Sequence, residues 1–285
     1  MRGWWKERKE ESFQQTALNR NPDLWEVTLL LGFIMALLLL VSFSLIEVPH
    51  LSLPGEINSR FIAVLIIELM FVGLPVAGFI WVKRFDPSRV LGLNPTGVAS
   101  LGGAALMGAA TVLIAPQLEA WQARVIPPPE QYLEALSEFV TLEPGESLVW
   151  ALFCLALVPA ICEETLFRGV LLKTCLARWD KVTAIVGIGI LFGIFHLDLW
   201  RWPLLSLIGM LITWIAVETA SIWPAFVFHL VNNSVSLLFV NFNWPVERDA
   251  VDLPPELMAV GVGFLVIGAG FIIRESGRIR SGDKR

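Results

Sequence analysis

The chain has 285 residues, of which 55% are hydrophobic and only 16% are charged, and its mean hydropathy is +0.67. Soluble domains carry about 25% charged residues, so this composition excludes an ordinary soluble protein and predicts a chain embedded in a lipid bilayer. The net charge of -5 indicates no basic surface for nucleic acid, and we expect no nucleic-acid partner.

Apolar runs long enough to cross a membrane recur along the sequence. A helix needs about 20 apolar residues to span about 30 Å of hydrocarbon. The fold class predicted is therefore an all-α polytopic membrane protein in which residues 25–273 form one transmembrane domain, between an N-terminal arm (1–24) and a basic tail (274–285). About eight transmembrane helices are predicted, at 25–47, 60–82, 96–116, 147–174, 182–200, 203–217, 221–241 and 256–273.

The distribution of lysine and arginine predicts the orientation of these spans. Short loops rich in these residues stay cytoplasmic. If the spans alternate from a cytoplasmic N-terminus, the inner segments hold 16 of the 21 basic residues, with Arg168 inside the fourth span not counted. The outer segments hold only Arg60, Arg124, Arg201 and Arg248. We therefore expect the arm, the tail and both termini to be cytoplasmic.

Features of the first half of the chain are mainly structural. Glu68 lies alone in the middle of the second span, and we expect it to pair with a cavity group or to mark a water-filled cleft, outside the catalytic set. The third span is rich in glycine and alanine, which lets neighbouring helices approach closely. In the outer segment 117–146, apolar residues from Tyr132 to Val140 recur at helical spacing opposite three glutamates. This pattern predicts an amphipathic helix on the outer surface, either a lid over a cavity or a plain surface helix. His50, in the first outer loop, receives no role.

The fourth span contains two adjacent glutamates and an arginine in the stretch "ICEETLFRGV". One ionisable group near the bilayer centre costs at least about 2.5 kcal/mol, so three together need compensation and a use. Glu164 and Arg168 are four residues apart and can pair on one helical face, whereas Glu163 lies about 100° around the helix and is left unpaired. Pro159, about one turn earlier, predicts a kink that releases a backbone carbonyl.

Two of the three histidines lie within predicted spans. His196 ends "FGIFH" in the fifth span, and "HLVNN" in the seventh places His229 and Asn233 on one helical face. At 1.5 Å per residue, all three reach about 12 to 18 Å from the inner side, a level similar to that of Glu163. Each residue alone can be explained as an interhelical hydrogen-bonding group. Together at one depth, they predict a polar site near the midplane.

The motifs Glu163-Glu164-x-x-x-Arg168, Phe192-x-x-x-His196 and His229-x-x-x-Asn233 resemble those of the CAAX prenyl protease type II and bacteriocin-processing (CPBP, Abi) family of glutamate-type intramembrane proteases. The resemblance covers about residues 147–241, which is the predicted protease core and includes the fourth to seventh spans. It implies a multi-pass protein that resembles bacterial members, which we expect in the inner (plasma) membrane. It also implies an endopeptidase that cuts near the end of a peptide or membrane-protein substrate.

By position, the resemblance implies that Glu163 is the general base and that His196 helps to hold the attacking water. It implies that His229 and Asn233 donate hydrogen bonds to the oxyanion. Glu164, Arg168 and Phe192 are expected to support the site. Peptide hydrolysis needs an activated water and donors aimed at the developing negative charge, which these residue types supply. We expect no metal and no cofactor, and the oligomeric state is not predicted.

Three other functions remain open from the sequence. A zinc protease would use two histidines and a glutamate, although no His-Glu-x-x-His helix occurs and an amide oxygen is a weak zinc ligand. A transporter or proton-coupled channel would use the embedded carboxylates, including Glu68, to carry ions. A non-catalytic scaffold or immunity protein would keep the fold without cleavage.

Overall fold

The computed structural model describes residues 20–47, 59–242 and 254–281, and every regular element in these ranges is a helix. Seven of the described helices are long and apolar enough to cross a membrane, which confirms the all-α polytopic architecture. The helices are α1 (Leu24–Glu47), α2 (Arg60–Lys83), α3 (Pro87–Val90), α4 (Val98–Ala123), α5 (Glu130–Val140), α6 (Leu148–Leu176), α7 (Lys181–Phe195), α8 (Trp202–Thr219), α9 (Ile222–Asn241) and α10 (Pro255–Ser281).

The fifth predicted span is shorter than expected. Helix α7 has 15 residues and is about 22 Å long, so the predicted end at residue 200 is wrong. The chain leaves the helix because Leu197 takes a left-handed backbone conformation (φ 52°) and the Asp198 carboxylate accepts hydrogen bonds from the Trp200 and Arg201 amides. His196 is therefore the residue that caps the C-terminal end of α7, whereas the sequence predicted that it lies within the helix of the fifth span.

Ion pairs define two ends of the helix bundle. At one end, which we call the basic end, the pairs are Asp23–Arg178, Glu26–Lys83, Glu218–Lys181 and Glu218–Arg280. At the opposite end, Arg201 pairs with Glu119 at 3.0 Å and Arg60 pairs with Glu146 at 2.6 Å. The basic end joins segments that were all predicted to be inner, and its cytoplasmic location stays a prediction.

The last helix extends beyond the predicted boundary between the transmembrane domain and the basic tail. Helix α10 continues to Ser281, so most of the predicted tail 274–285 is helical where the structure describes it. Residues 1–19 of the predicted arm and His50 lie outside the described residues.

Close helix contacts at small residues hold the core together, as the sequence predicts for the third span. A Cβ added to Gly108 in α4 would lie 2.5 Å from the Phe228 carbonyl oxygen of α9. A Cβ added to Gly209 in α8 would lie 2.9 Å from the Phe192 side chain of α7. These distances are too short for a side chain, so both positions require glycine. The two contacts fix the positions of α9 and α7, whose functional segments face α6.

Wide π-helical turns interrupt the two helices that carry the embedded glutamates. In α2 the turn covers Ile67–Gly73 and includes Glu68, and in α6 the turns cover Phe153–Leu157 and Thr165–Leu171. A π-helical turn shifts the residues that follow it around the helix axis, and such turns are frequent at functional sites.

Candidate active site

A buried ionic cluster is centred on Glu164. Glu164 Oε1 accepts a hydrogen bond from Arg168 Nη1 at 2.8 Å and contacts His229 Nδ1, also at 2.8 Å. Arg168 Nη2 donates to the Gly209 carbonyl oxygen of α8 at 3.0 Å. The Glu164 and Arg168 side chains are 1% and 0% exposed, which confirms the predicted pairing. The cluster joins α6, α8 and α9 through bonds to charged groups, which are stronger than neutral ones.

Phe192 forms the aromatic centre of the site. Its ring lies 4.5 Å from the Arg168 guanidinium carbon, 4.7 Å from the His196 ring centre and 5.9 Å from the His229 ring centre. The edge-to-face contact with His229 and the cation-π contact with Arg168 are both favourable arrangements. Phe192 therefore contacts both histidines and the arginine of the buried cluster.

Glu163 and His196 face each other without a direct hydrogen bond. Glu163 Oε2 is inaccessible to solvent and has no hydrogen-bond partner in the part of the chain that the structure describes, and His196 Nε2 lies 4.0 Å away. His196 Nδ1 lies 2.7 Å from the Phe192 carbonyl oxygen. Because a carbonyl only accepts, Nδ1 carries the hydrogen, and in the neutral ring Nε2 is an acceptor. Two acceptors therefore point at the same gap.

Asn233 compensates for the proline in α6. Pro159 has no N–H, so the carbonyl oxygen of Leu155 lacks its usual partner four residues on. Asn233 Nδ2 of α9 donates to this oxygen at 3.3 Å. One hydrogen of the amide thus binds the segment of α6 before Pro159, and the other is not used by this contact.

All four predicted catalytic residues line one cavity of about 510 Å³, which is within the usual size range of small-ligand sites. The polar and aromatic groups of its wall include Glu68, Glu119, Glu163, Phe192, His196, Arg201, His229, Asn232 and Asn233. Arg201 and Glu119 form an ion pair with each other at the end of the bundle opposite the basic end. The cavity therefore reaches from the middle of α6 toward that end.

Helix α5 covers the cavity on that side, and the amphipathic helix predicted there is confirmed. Leu136, Phe139 and Val140 form part of the cavity wall. At the other end of α5, the Tyr132 hydroxyl donates to Asp198 Oδ2 at 2.5 Å, and its ring packs on Trp200 at 4.7 Å.

Both ends of α5 are held in place. Burial, together with the Asp198 carboxylate, raises the pKa of Tyr132, so the phenol remains a donor at neutral pH. Near the other end of α5, Asn241 Nδ2 of α9 donates to the Val140 carbonyl oxygen at 2.9 Å. The Arg60 guanidinium donates to the Glu138 carbonyl oxygen as well.

Sequence reasoning left Glu68 outside the catalytic set and expected it to pair with a cavity group or to mark a water-filled cleft. Glu68 lines the cavity with Glu163, and its Oε2 is buried with no hydrogen-bond partner among the described residues. The contact between Glu164 and His229 was not predicted, because it depends on how α6 and α9 pack. In the described part of the chain, no three His, Cys, Asp or Glu side chains are arranged to hold one metal ion.

Comparison with known families matches residues 145–235 to the family described as Rce1-like, type II CAAX prenyl endopeptidase. The matched stretch begins just before α6, ends within α9, and contains all four residues predicted to be catalytic. The family predicted from the motifs is confirmed for this stretch. No curated protein and no solved structure matches the chain.

Proposed function

We propose that the chain is an intramembrane endopeptidase in which Glu163 activates the attacking water, because residues 145–235 match the Rce1-like type II CAAX prenyl endopeptidase family and the chain has several helices that can span a membrane. The observation that carries this proposal is the gap between Glu163 Oε2 and His196 Nε2. His229 and Asn233 line the same cavity. The substrate we propose is a peptide or membrane protein cut near its end.

We place the attacking water between these two acceptors, where the side chains have to move apart slightly to admit it, because Glu163 Oε2 is inaccessible to solvent in the structure. With hydrogen bonds of about 2.8 Å, one water bridges two atoms 4.0 Å apart. Glu163 takes one proton from this water as the oxygen attacks the scissile carbonyl carbon, and neutral His196 holds the other hydrogen. Since the Glu163 side chain is only 14% exposed, competing solvent is largely kept away from the carboxylate.

The oxyanion that forms would accept hydrogen bonds from His229 Nε2 and from the second hydrogen of Asn233 Nδ2. His229 Nδ1 already faces an oxygen that also accepts from Arg168, so Nδ1 is the donor in its contact with Glu164. Nε2 can then donate only if the ring carries both protons. Glu164 would stabilise that imidazolium, which gives this buried carboxylate a role in orienting and charging His229.

The test uses purified full-length protein in lipid nanodiscs, incubated with a set of synthetic membrane-spanning peptides that have polar ends. New peptide termini are identified by mass spectrometry. We expect cleavage by the unsubstituted protein and none by Glu163→Gln, which keeps the side-chain shape but removes the base. Glu26→Gln is the matched control, because Glu26 lies in α1 and is paired with Arg20 and Lys83 at the basic end. Cleavage by Glu163→Gln at the unsubstituted rate would contradict the mechanism.

Two further measurements separate the proposal from the other functions. Metal analysis and chelator treatment test the zinc protease, since chelation would abolish its cleavage and leave that of a glutamate-type enzyme unchanged. If the protein is a non-catalytic scaffold, the unsubstituted protein and Glu163→Gln will bind a peptide equally well, and neither will cut it.

A further inference from the structure

We propose that Glu68 is a second acid-base residue of this site, which shares one proton with Glu163 and gives it to the leaving amine. This inference rests on the proposed endopeptidase function and extends it to a residue outside the matched stretch 145–235. It assigns the leaving-group proton to Glu68 and not to Glu163, which holds the proton taken from water at that stage.

The structure places Glu68 and Glu163 in the walls of the same two adjoining cavities. Both residues line the cavity that holds the candidate site, and both line a second cavity of about 370 Å³ with His196. The Oε2 atoms of both glutamates are inaccessible to solvent and have no hydrogen-bond partner among the described residues. A buried oxygen without a partner is costly, and it indicates a bound proton, a water or a ligand.

In the described chain, neither carboxylate forms an ion pair with lysine or arginine, and the nearby Arg168 and the proposed imidazolium of His229 both contact Glu164. The helices packed against the Glu68 turn are α1 and α6, and α6 presents Glu163 and the thiol of Cys162. The C-terminal end of α7 adds His196, and the more distant cavity wall contains His229 and the Arg201–Glu119 ion pair. Since the charge of Arg201 is balanced by Glu119, two ionised acids in this low-dielectric space would repel each other. One shared proton removes the repulsion.

A shared proton completes the hydrolysis. Ionised Glu163 takes a proton from water while the oxygen bonds to the carbonyl carbon. Protonated Glu68 then donates its proton to the scissile nitrogen as the carbon–nitrogen bond breaks. The products are a carboxylic acid and an amine, Glu163 holds the proton from water, and Glu68 is ionised. Transfer of this proton from Glu163 to Glu68 restores the starting state, as in other enzymes that use paired carboxyl groups.

Infrared difference spectroscopy of the full-length protein in nanodiscs tests the shared proton without any substrate. A protonated carboxyl group has a C=O band that is separate from the carboxylate bands. If one proton is shared, Glu68→Gln and Glu163→Gln each lose the acid band at neutral pH, because the remaining glutamate ionises. The control Glu26→Gln keeps this band, since Glu26 is paired with Arg20 and Lys83. If Glu68→Gln or Glu163→Gln instead loses a carboxylate band, both glutamates are ionised in the unsubstituted protein, and the proposal is overturned.

The pH dependence of cleavage tests the chemical role. We expect Glu68→Gln to lower kcat by about 10²-fold or more with little change in KM, and to lose or displace the alkaline limb of the profile. Glu68→Asp should restore part of kcat and keep that limb. An unchanged alkaline limb in Glu68→Gln would overturn the role of Glu68 even if Glu163→Gln is inactive. Cleavage by Glu163→Gln would instead overturn the proposed function itself.

Discussion

Glu163 and Glu164 are neighbours in the sequence but lie in two different environments. Glu164 is 1% exposed and contacts two cationic or ionisable groups, Arg168 and His229. Glu163 faces a cavity, and its nearest ionisable nitrogen, His196 Nε2, is 4.0 Å away. A rotation of about 100° around α6 thus separates a carboxylate that holds three helices together from one that is free to react. Substitutions at the two sites should therefore differ in kind.

The largest expected effect is on catalysis at Glu163. We expect Glu163→Gln to lower the cleavage rate by about 10²- to 10⁴-fold, because a general base contributes about that much. The free energy of unfolding should change little, since Glu163 makes no ion pair with lysine or arginine in the described chain. Cleavage rate and thermal unfolding are measured on the same preparation. A large fall in thermal stability would show that Glu163 also holds the fold together.

A substitution in the buried cluster should affect stability first. We expect Arg168→Ala to lower the free energy of unfolding by about 3 to 5 kcal/mol, because it leaves Glu164 buried without its arginine. Arg168→Lys is the matched control, because it keeps the positive charge. A lysine cannot contact Glu164 and the Gly209 carbonyl oxygen with two nitrogens of one planar group. Denaturation in detergent gives both values. If Arg168→Ala has the same denaturation midpoint as the unsubstituted protein, this cluster does not have the stabilising role assigned to it.

The two adjacent asparagines of α9 provide a similar comparison. Asn233→Ala removes a proposed oxyanion donor, and we expect kcat to fall by about 10²-fold with KM nearly unchanged. Asn232→Ala is the matched control, because Asn232 Nδ2 contacts Thr111 of α4 at 3.4 Å and has no proposed chemical role. Equal kcat values for the two variants would contradict the oxyanion role of Asn233.

The smallest expected effect is on the helix that covers the cavity. We expect Tyr132→Phe to remove the hydrogen bond to Asp198 and to weaken the docking of α5 by about 1 kcal/mol. Faster hydrogen exchange across α5 with no change in α6 would show this. Because the pKa of Tyr132 is raised, the hydrogen bond is present at neutral pH and is lost only as strongly alkaline pH deprotonates the phenol. If hydrogen exchange in α5 is equally fast in Tyr132→Phe and in the unsubstituted protein, other contacts hold the helix.

Much of the site could be found from the sequence because its signals are local. Composition predicts the membrane helices, four-residue spacing predicts the contact between Glu164 and Arg168, and a proline at 159 predicts the released carbonyl. The end of α7 was missed because Leu197 adopts a left-handed conformation that is unusual for leucine. The position of His196 at a helix end therefore had no clear local signal.

The sequence by itself determined that the chain is a bundle of membrane helices and that four polar residues belong near one another. Apolar length and helical periodicity act over a few turns, so they can be read from neighbouring residues. Only the tertiary structure decided that Glu164 contacts His229, that Asn233 binds the carbonyl of Leu155, and that Glu68 shares a cavity with Glu163. These contacts depend on how tightly packed helices rotate and cross, and on residues more than 60 positions apart in the chain.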